Sequence, residues 1–109
     1  METLKIAQTH ELMPGQMKRI DAGNRHILLA NVDGTYYALD DKCPHLGGSL
    51  SGGRLEGGRV SCPNHGASFE LATGRNVGNA KIAFISIRVN DAKSYKVRVD
   101  GSDVIVELG

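Results

Sequence analysis

Two short stretches carry the side chains best suited to chemistry, Cys43-Pro44-His45 and Cys62-Pro63-Asn64-His65. Their skeleton is Cys-x-His, then 16 residues, then Cys-x-x-His. Thiolate and imidazole both bind transition metals, and four such groups complete one site. Structural zinc modules tend to group a Cys pair before a His pair. Here each loop offers one Cys and one His. Two such loops brought face to face would turn two sulfurs to one side and two nitrogens to the other. That segregation suits a two-iron cluster with chemically distinct irons, and a zinc site is the alternative. Pro44 and Pro63 serve either metal, because a fixed φ lowers the entropy lost when the loops bind it.

The remaining polar candidates are weaker. His10 lies in a polar stretch and reads as a solvated surface group, and His26 reads as a strand-end residue; neither has neighbouring ligands. Asp40 and Asp41 precede the first Cys-His loop. Paired carboxylates can do acid–base work, but a solvated turn is the simpler reading. No Ser-His-Asp or Cys-His nucleophile arrangement stands out. The pairs Gly47-Gly48, Gly52-Gly53 and Gly57-Gly58 lack the GxxxxGK[ST] and strand–GxGxxG–helix contexts of phosphate loops, and read as tight turns.

The elements that must position these loops are strands. Ile85, Ile87 and Val89 alternate with polar residues, as do Tyr95, Val97 and Val99, and then Val104, Val106 and Leu108. Period two places each set on one face of a half-buried strand. Asp100-Gly101-Ser102 reads as a hairpin connection between the last two. Asp33-Gly34 does the same between His26–Val32 and Thr35–Leu39. One helical turn is expected near Thr9–Met13, with Thr9 as its N-cap. Residues 43 to 78 hold most of the glycines and show little periodicity. The plan is therefore a β-rich base built from both ends of the chain, with a loop-dominated lobe inserted, in a single domain spanning residues 1–109.

Length and composition narrow the function. A chain of 109 residues fits one small domain, to which a metal shared between loops adds stability. The net charge of +1 favours neither nucleic acid nor an anionic membrane as partner. Only 5% of residues are aromatic and none is Trp, which argues against a base-stacking platform. No segment approaches the roughly 20 apolar residues of a membrane span, and the N-terminus lacks a signal-peptide pattern. The chain is expected to be soluble and cytoplasmic. Two cysteines are few for a secreted disulfide scaffold of this length.

From Cys43 to Gly74 the chain reads CPHLGGSLSGGRLEGGRVSCPNHGASFELATG. This stretch closely resembles the Rieske family in the four ligands and in Pro44, Pro63, Gly47, Leu50-Ser51, Gly66, Phe69 and Thr73-Gly74. The resemblance implies one [2Fe–2S] cluster, with Cys43 and Cys62 on one iron and His45 and His65 on the other. It implies an all-β, Rieske-like antiparallel β-sandwich base with a small loop-rich cluster-binding lobe at about 43–78. Gly47 and Gly66 would let backbone N–H groups approach the sulfurs. Two neutral imidazoles in place of thiolates leave the oxidised core neutral, which makes adding an electron easier.

Departures from the family point to a subgroup. Rieske subunits of respiratory and photosynthetic complexes add a cysteine to each loop, where this chain has Gly48 and Asn64. They also carry Ser and Tyr hydroxyls that donate to cluster sulfurs, where this chain has Ala67 and Phe69. Fewer donors stabilise the reduced state less, which resembles low-potential Rieske ferredoxins. The segment Asn76–Ala80 lacks the proline of the usual cluster-covering loop. The resemblance implies a one-electron carrier, not an enzyme, between a flavin reductase and a terminal oxygenase. The alternatives are a small subunit of a larger oxidoreductase, such as a nitrite-reductase-type complex, and a zinc-stabilised interaction module.

Overall fold

The computed structural model describes residues 2–23, 25–42, 49–63, 66–78, 80–82, 85–87 and 90–108. The base is a six-stranded antiparallel sheet of β1 (Thr3–Gln8), β2 (Met17–Ala22), β3 (Arg25–Val32), β4 (Thr35–Asp40), β11 (Ser94–Asp100) and β12 (Asp103–Glu107). Its order is β1-β12-β11-β4-β3-β2, so both ends of the chain meet in it. Strand β11 joins the two halves: Ser94 and Tyr95 pair with Leu39 and Ala38 of β4, and Lys96 to Asp100 pair with β12.

The expected hairpins form. Asp33 and Gly34 take φ of 52° and 92°, the paired left-handed conformation of a turn matched to strand twist. Asp100 lies opposite Asp103, so Gly101 and Ser102 make the other two-residue connection. Asn31, buried in β3, accepts the Gly34 N–H at 2.8 Å and donates to the Leu12 carbonyl at 2.8 Å. The N-terminal helical turn is the 3₁₀ segment Thr9–Glu11. Its cap is Gln8, one residue earlier than expected, because Gln8 is still extended and its N–H reaches the Glu11 carboxylate at 3.2 Å.

Strand β3 separates two apolar clusters. Ile27 and Leu29 pack with Ala38, Tyr95, Val104 and Val106 on one side. Leu28 and Ala30 pack with Leu39 and with the lobe's Leu50, Val60, Cys62 and Phe69 on the other. This is why β3 reads as a continuous apolar run: both of its faces are covered. Each fully buried Leu or Phe contributes roughly 1.5–3 kcal/mol relative to an exposed one.

The inserted lobe holds a four-stranded meander of β5 (Arg54–Glu56), β6 (Arg59–Ser61), β7 (Ser68–Glu70) and β8 (Asn76–Gly78). It carries more strand than its weak periodicity suggested. Each strand is three residues long and β5, β6 and β7 centre on one apolar side chain, too short for alternation to show. Those centres align in register, Leu55 opposite Val60 and Val60 opposite Phe69, and form the row that faces the base. Strands β9 (Ala80–Ile82) and β10 (Ile85–Ile87) pair as a separate ribbon. No helix among the described residues is long and apolar enough to cross a membrane.

Candidate metal centre

Of the four candidate ligands, Cys62 lies within the described residues; Cys43, His45 and His65 lie outside them, as does Gly47. The frame that holds both loops is nevertheless defined.

The first loop leaves and returns at one point. Lys42 and Ser49 form an antiparallel bridge, so residues 43–48 span a closed neck. The second loop is closed in a similar way. The Cys62 N–H donates to the Ala67 carbonyl at 2.7 Å, and the Gly66 N–H donates to the Cys62 carbonyl at 3.2 Å. Gly66 has a φ of 75°, and no atom lies within 4 Å of where its Cβ would be. Its role is thus the left-handed turn, and its N–H serves the Cys62 carbonyl, a different partner from the sulfur anticipated for it.

The two necks lie against each other. A Cβ on Gly53, just past the first loop, would sit 1.7 Å from the Ser61 carbonyl oxygen, beside the entrance to the second. A Cβ on Gly52 would lie 4.0 Å from the Pro63 ring. Only a residue without a side chain admits this approach at position 53. Leu50, Cys62, Ala67 and Phe69 then share one buried cluster, in which Cys62 is 3% exposed. Ala67 and Phe69 therefore occupy the same interior as a candidate ligand, as their positions in the motif implied.

Asp40 and Asp41 do not form the solvated turn expected of them: Asp40 is half-buried and Asp41 is buried. Asp41 is buried and holds the neck of the first loop: its Oδ1 accepts the Ser51 N–H at 2.8 Å and its Oδ2 accepts the Ser49 hydroxyl at 2.5 Å. Asp40 accepts the Tyr95 hydroxyl at 2.5 Å. Tyr95 is held protonated to higher pH than usual, first by burial and then by the Asp40 bond. The sequence signal for Asp41 was faint: a carboxylate ten residues before a Ser whose backbone, not side chain, it meets.

The weaker histidines behave as expected. His10 is exposed. His26 is exposed, with Nδ1 2.7 Å from Asp21 Oδ1. That contact and the Arg19 guanidinium hold the Asp21 carboxyl below the usual range. Of the proline-free segment 76–80, Asn76–Gly78 form β8, Ala80 begins β9 and Asn79 lies outside the described residues. The Asn76 side chain donates to the Ser68 and Gly78 carbonyls at 3.1 and 2.9 Å, and the Asn76 N–H donates to Asp91 at 2.8 Å.

This frame fits a metal cluster. A buried Cys62, two closed necks in contact, and the two Cys and two His that the sequence places in the segments between them suit an all-β domain that binds a metal cluster. The chain belongs to the Rieske family: the Rieske [2Fe-2S] domain model matches residues 2–96. It binds one [2Fe–2S] cluster. The ferredoxin component of biphenyl 2,3-dioxygenase from Rhodococcus jostii (strain RHA1) is 36% identical over 108 residues, covering 99% of this chain and 94% of that one. The 3-phenylpropionate/cinnamic acid dioxygenase ferredoxin subunit of Shigella boydii serotype 4 (strain Sb227) is 39% identical, covering 99% and 95%. Among solved structures, a chain in the complex of reduced oxygenase and oxidised ferredoxin of carbazole 1,9a-dioxygenase superposes with a TM-score of 0.81 at 28% identity, covering 95% of this chain and 91% of that one.

Proposed function

We propose that this chain is a one-electron carrier that receives electrons from a reductase and delivers them to a terminal oxygenase of the dioxygenase type. The observation that carries this reading is the end-to-end match to dioxygenase ferredoxin components, 99% of this chain against 94% of the relative. The protein is a component of an oxidoreductase system and not its catalytic subunit. The ligand reading is Cys43 and Cys62 with His45 and His65, supported by the loop skeleton, the buried Cys62 thiol and the apposed necks. The bound cluster supplies reversible uptake of one electron. The chain's own residues supply the rest. The row Leu55, Val60 and Phe69 excludes water from the Cys62 side, and the two necks hold the loops at fixed spacing.

We read residues 1–109 as one domain because base and lobe share a single buried cluster through Leu28, Leu39, Val60 and Phe69. A cytoplasmic location accords with the free thiol of Cys62, since disulfides are rare in that compartment. The zinc and nitrite-reductase-type alternatives have no comparable support. Reconstitution tests the reading. This chain should replace the ferredoxin component in the biphenyl 2,3-dioxygenase system and restore product formation. Failure of the dithionite-reduced protein to pass its electron to that oxygenase would count against it.

A further inference from the structure

Three strands bring cations to one hollow on the flank of the base. Arg25 begins β3, Lys42 follows β4 and Lys93 precedes β11, and with Asp40 and Tyr95 they line a space of about 270 Å³. Tyr95 sets the spacing. Its hydroxyl donates to Asp40 Oδ1 at 2.5 Å and lies 3.5 Å from Arg25 Nη1, and Lys93 Nζ stands 5.1 Å from the centre of its ring. The backbone is fixed as well, since the Asp40 N–H donates to the Lys93 carbonyl at 2.8 Å.

Asp40 is the carboxylate of the hollow, and the Tyr95 hydroxyl occupies it. Among the described residues, no carboxylate lies within ion-pair distance of Arg25 or Lys93; the ion pairs there use Lys5, Arg19, His26 and Arg54. Arg25 and Lys93 alone outnumber Asp40, in a chain whose net charge is only +1. Cations gathered at one concave site repel each other and focus a positive potential there, which an incoming anion relieves. Size selects the anion. The hollow falls below the roughly 300–1,000 Å³ of small-molecule sites, and its rim is the exposed Lys42 and Lys93. It suits a single carboxylate side chain presented by another protein. We propose that this hollow docks an acidic side chain on the surface of a redox partner. This rests on the carrier reading above. Exposed charges of this kind act through the rate of encounter and its salt dependence more than through final affinity.

The test uses the cluster-loaded protein with Arg25→Gln, Lys93→Gln and, as a control outside the hollow, Arg98→Gln. Stopped-flow absorbance follows two half-reactions with the biphenyl 2,3-dioxygenase components: reduced reductase to oxidised carrier, and dithionite-reduced carrier to oxidised oxygenase. In at least one of them, each hollow variant should slow the second-order step by roughly threefold or more at low salt and flatten its dependence on ionic strength. Arg98→Gln should stay within about twofold of the parent. Should Arg25→Gln disturb the visible spectrum of the cluster, the exposed Lys93 decides. Parental rates and salt dependence in both hollow variants overturn the proposal. If inorganic phosphate, added at constant ionic strength, then shifts the Lys93 amide resonance, the hollow is a free-anion site instead. Equal slowing by Arg98→Gln assigns the effect to overall charge and overturns it too. A parent that exchanges electrons with neither component overturns the carrier reading and this proposal together, whereas a competent parent with unaffected hollow variants overturns this proposal alone.

Discussion

The backbone N–H of Cys62 donates to the carbonyl of Ala67 at 2.7 Å, closing the second ligand loop on itself. Position 67 thus sits directly across the loop neck from the sulfur-bearing residue, with its methyl group wholly buried in the same cluster. Phe69, two residues on, is wholly buried as well and pairs with Val60. Neither side chain can donate a hydrogen bond, so the interior around Cys62 offers the sulfur only apolar neighbours from these two positions.

A hydroxyl at either position should raise the reduction potential. A donor aimed at sulfur stabilises the extra negative charge of the reduced state more than the oxidised one. Hydrogen bonds to charged groups are worth roughly 1.5–3 kcal/mol, of which only the difference between redox states counts. At 59 mV per factor of ten, Ala67→Ser and Phe69→Tyr should each shift the potential upward by on the order of tens of millivolts. Voltammetry of both, with unchanged visible spectra, is the measurement. If the hydroxyls find no sulfur, the result is different: stability falls by about 1–3 kcal/mol from an unsatisfied buried group while the potential stays put.

Gly53 is the residue whose replacement should separate the two necks. A Cβ there would meet the Ser61 carbonyl oxygen at 1.7 Å, which backbone movement alone can relieve. Gly53→Ala should cost on the order of 3 kcal/mol and lower the iron content of purified protein. Gly58→Ala is the control, since nothing lies within 4 Å of its Cβ position and its effect should stay within about 0.5 kcal/mol. Denaturant unfolding of the two variants compares them directly, and equal stabilities would refute the close-approach argument.

What could be read in the sequence was what local pattern encodes. The Cys-x-His and Cys-x-x-His loops, the Asp33-Gly34 turn and the alternation in β11 and β12 all lie within a few residues. The buried role of Asp41 could not be read that way, because its partners are backbone and hydroxyl groups eight to ten residues ahead, brought back by a bridge between Lys42 and Ser49. The lobe's meander was hidden for another reason. Strands with a single apolar centre carry no period, and only their register aligns Leu55, Val60 and Phe69. Gly53 reads as a turn residue, yet a Cβ there would strike the Ser61 carbonyl, and one on Gly74 would strike that of Ala92. Such close approach leaves no trace in composition.

Tyr95 should make stability depend on alkaline pH. Its ionisation is pushed upward by burial and by the bond to Asp40, with Arg25 opposing. The folded state therefore favours the neutral phenol. This contribution is fully present below the unfolded-state value of about 10 and is lost as pH rises from there through the raised folded value. Tyr95→Phe should flatten that decline and, at neutral pH, lower stability by about 1–3 kcal/mol because Asp40 loses its donor. Urea unfolding between neutral and alkaline pH checks both. A variant that declines as steeply as the parent would assign the alkaline loss to other groups.

Removing the iron should loosen one part of the molecule and spare another. The loops at 43–48 and 63–66 are held by their necks and, in the ligand reading, by shared metal bonds; chelation leaves only the necks. Strand β3 is different. Its hydrogen bonds to β2 and β4 and the face of Ile27 and Leu29, covered by base residues, are independent of the loops. Between these extremes lies the meander, which shares a cluster with β3 but meets the loops at Cys62 and Leu50. Hydrogen exchange of chelated against loaded protein should show protection lost across residues 43–74, most at the two loops and less at Val60 and Phe69, with Ile27 to Ala30 nearly unchanged. Uniform loss throughout would mean that base and lobe unfold as one unit held together by the metal. Unchanged protection at 43–74 would mean that the necks suffice without it.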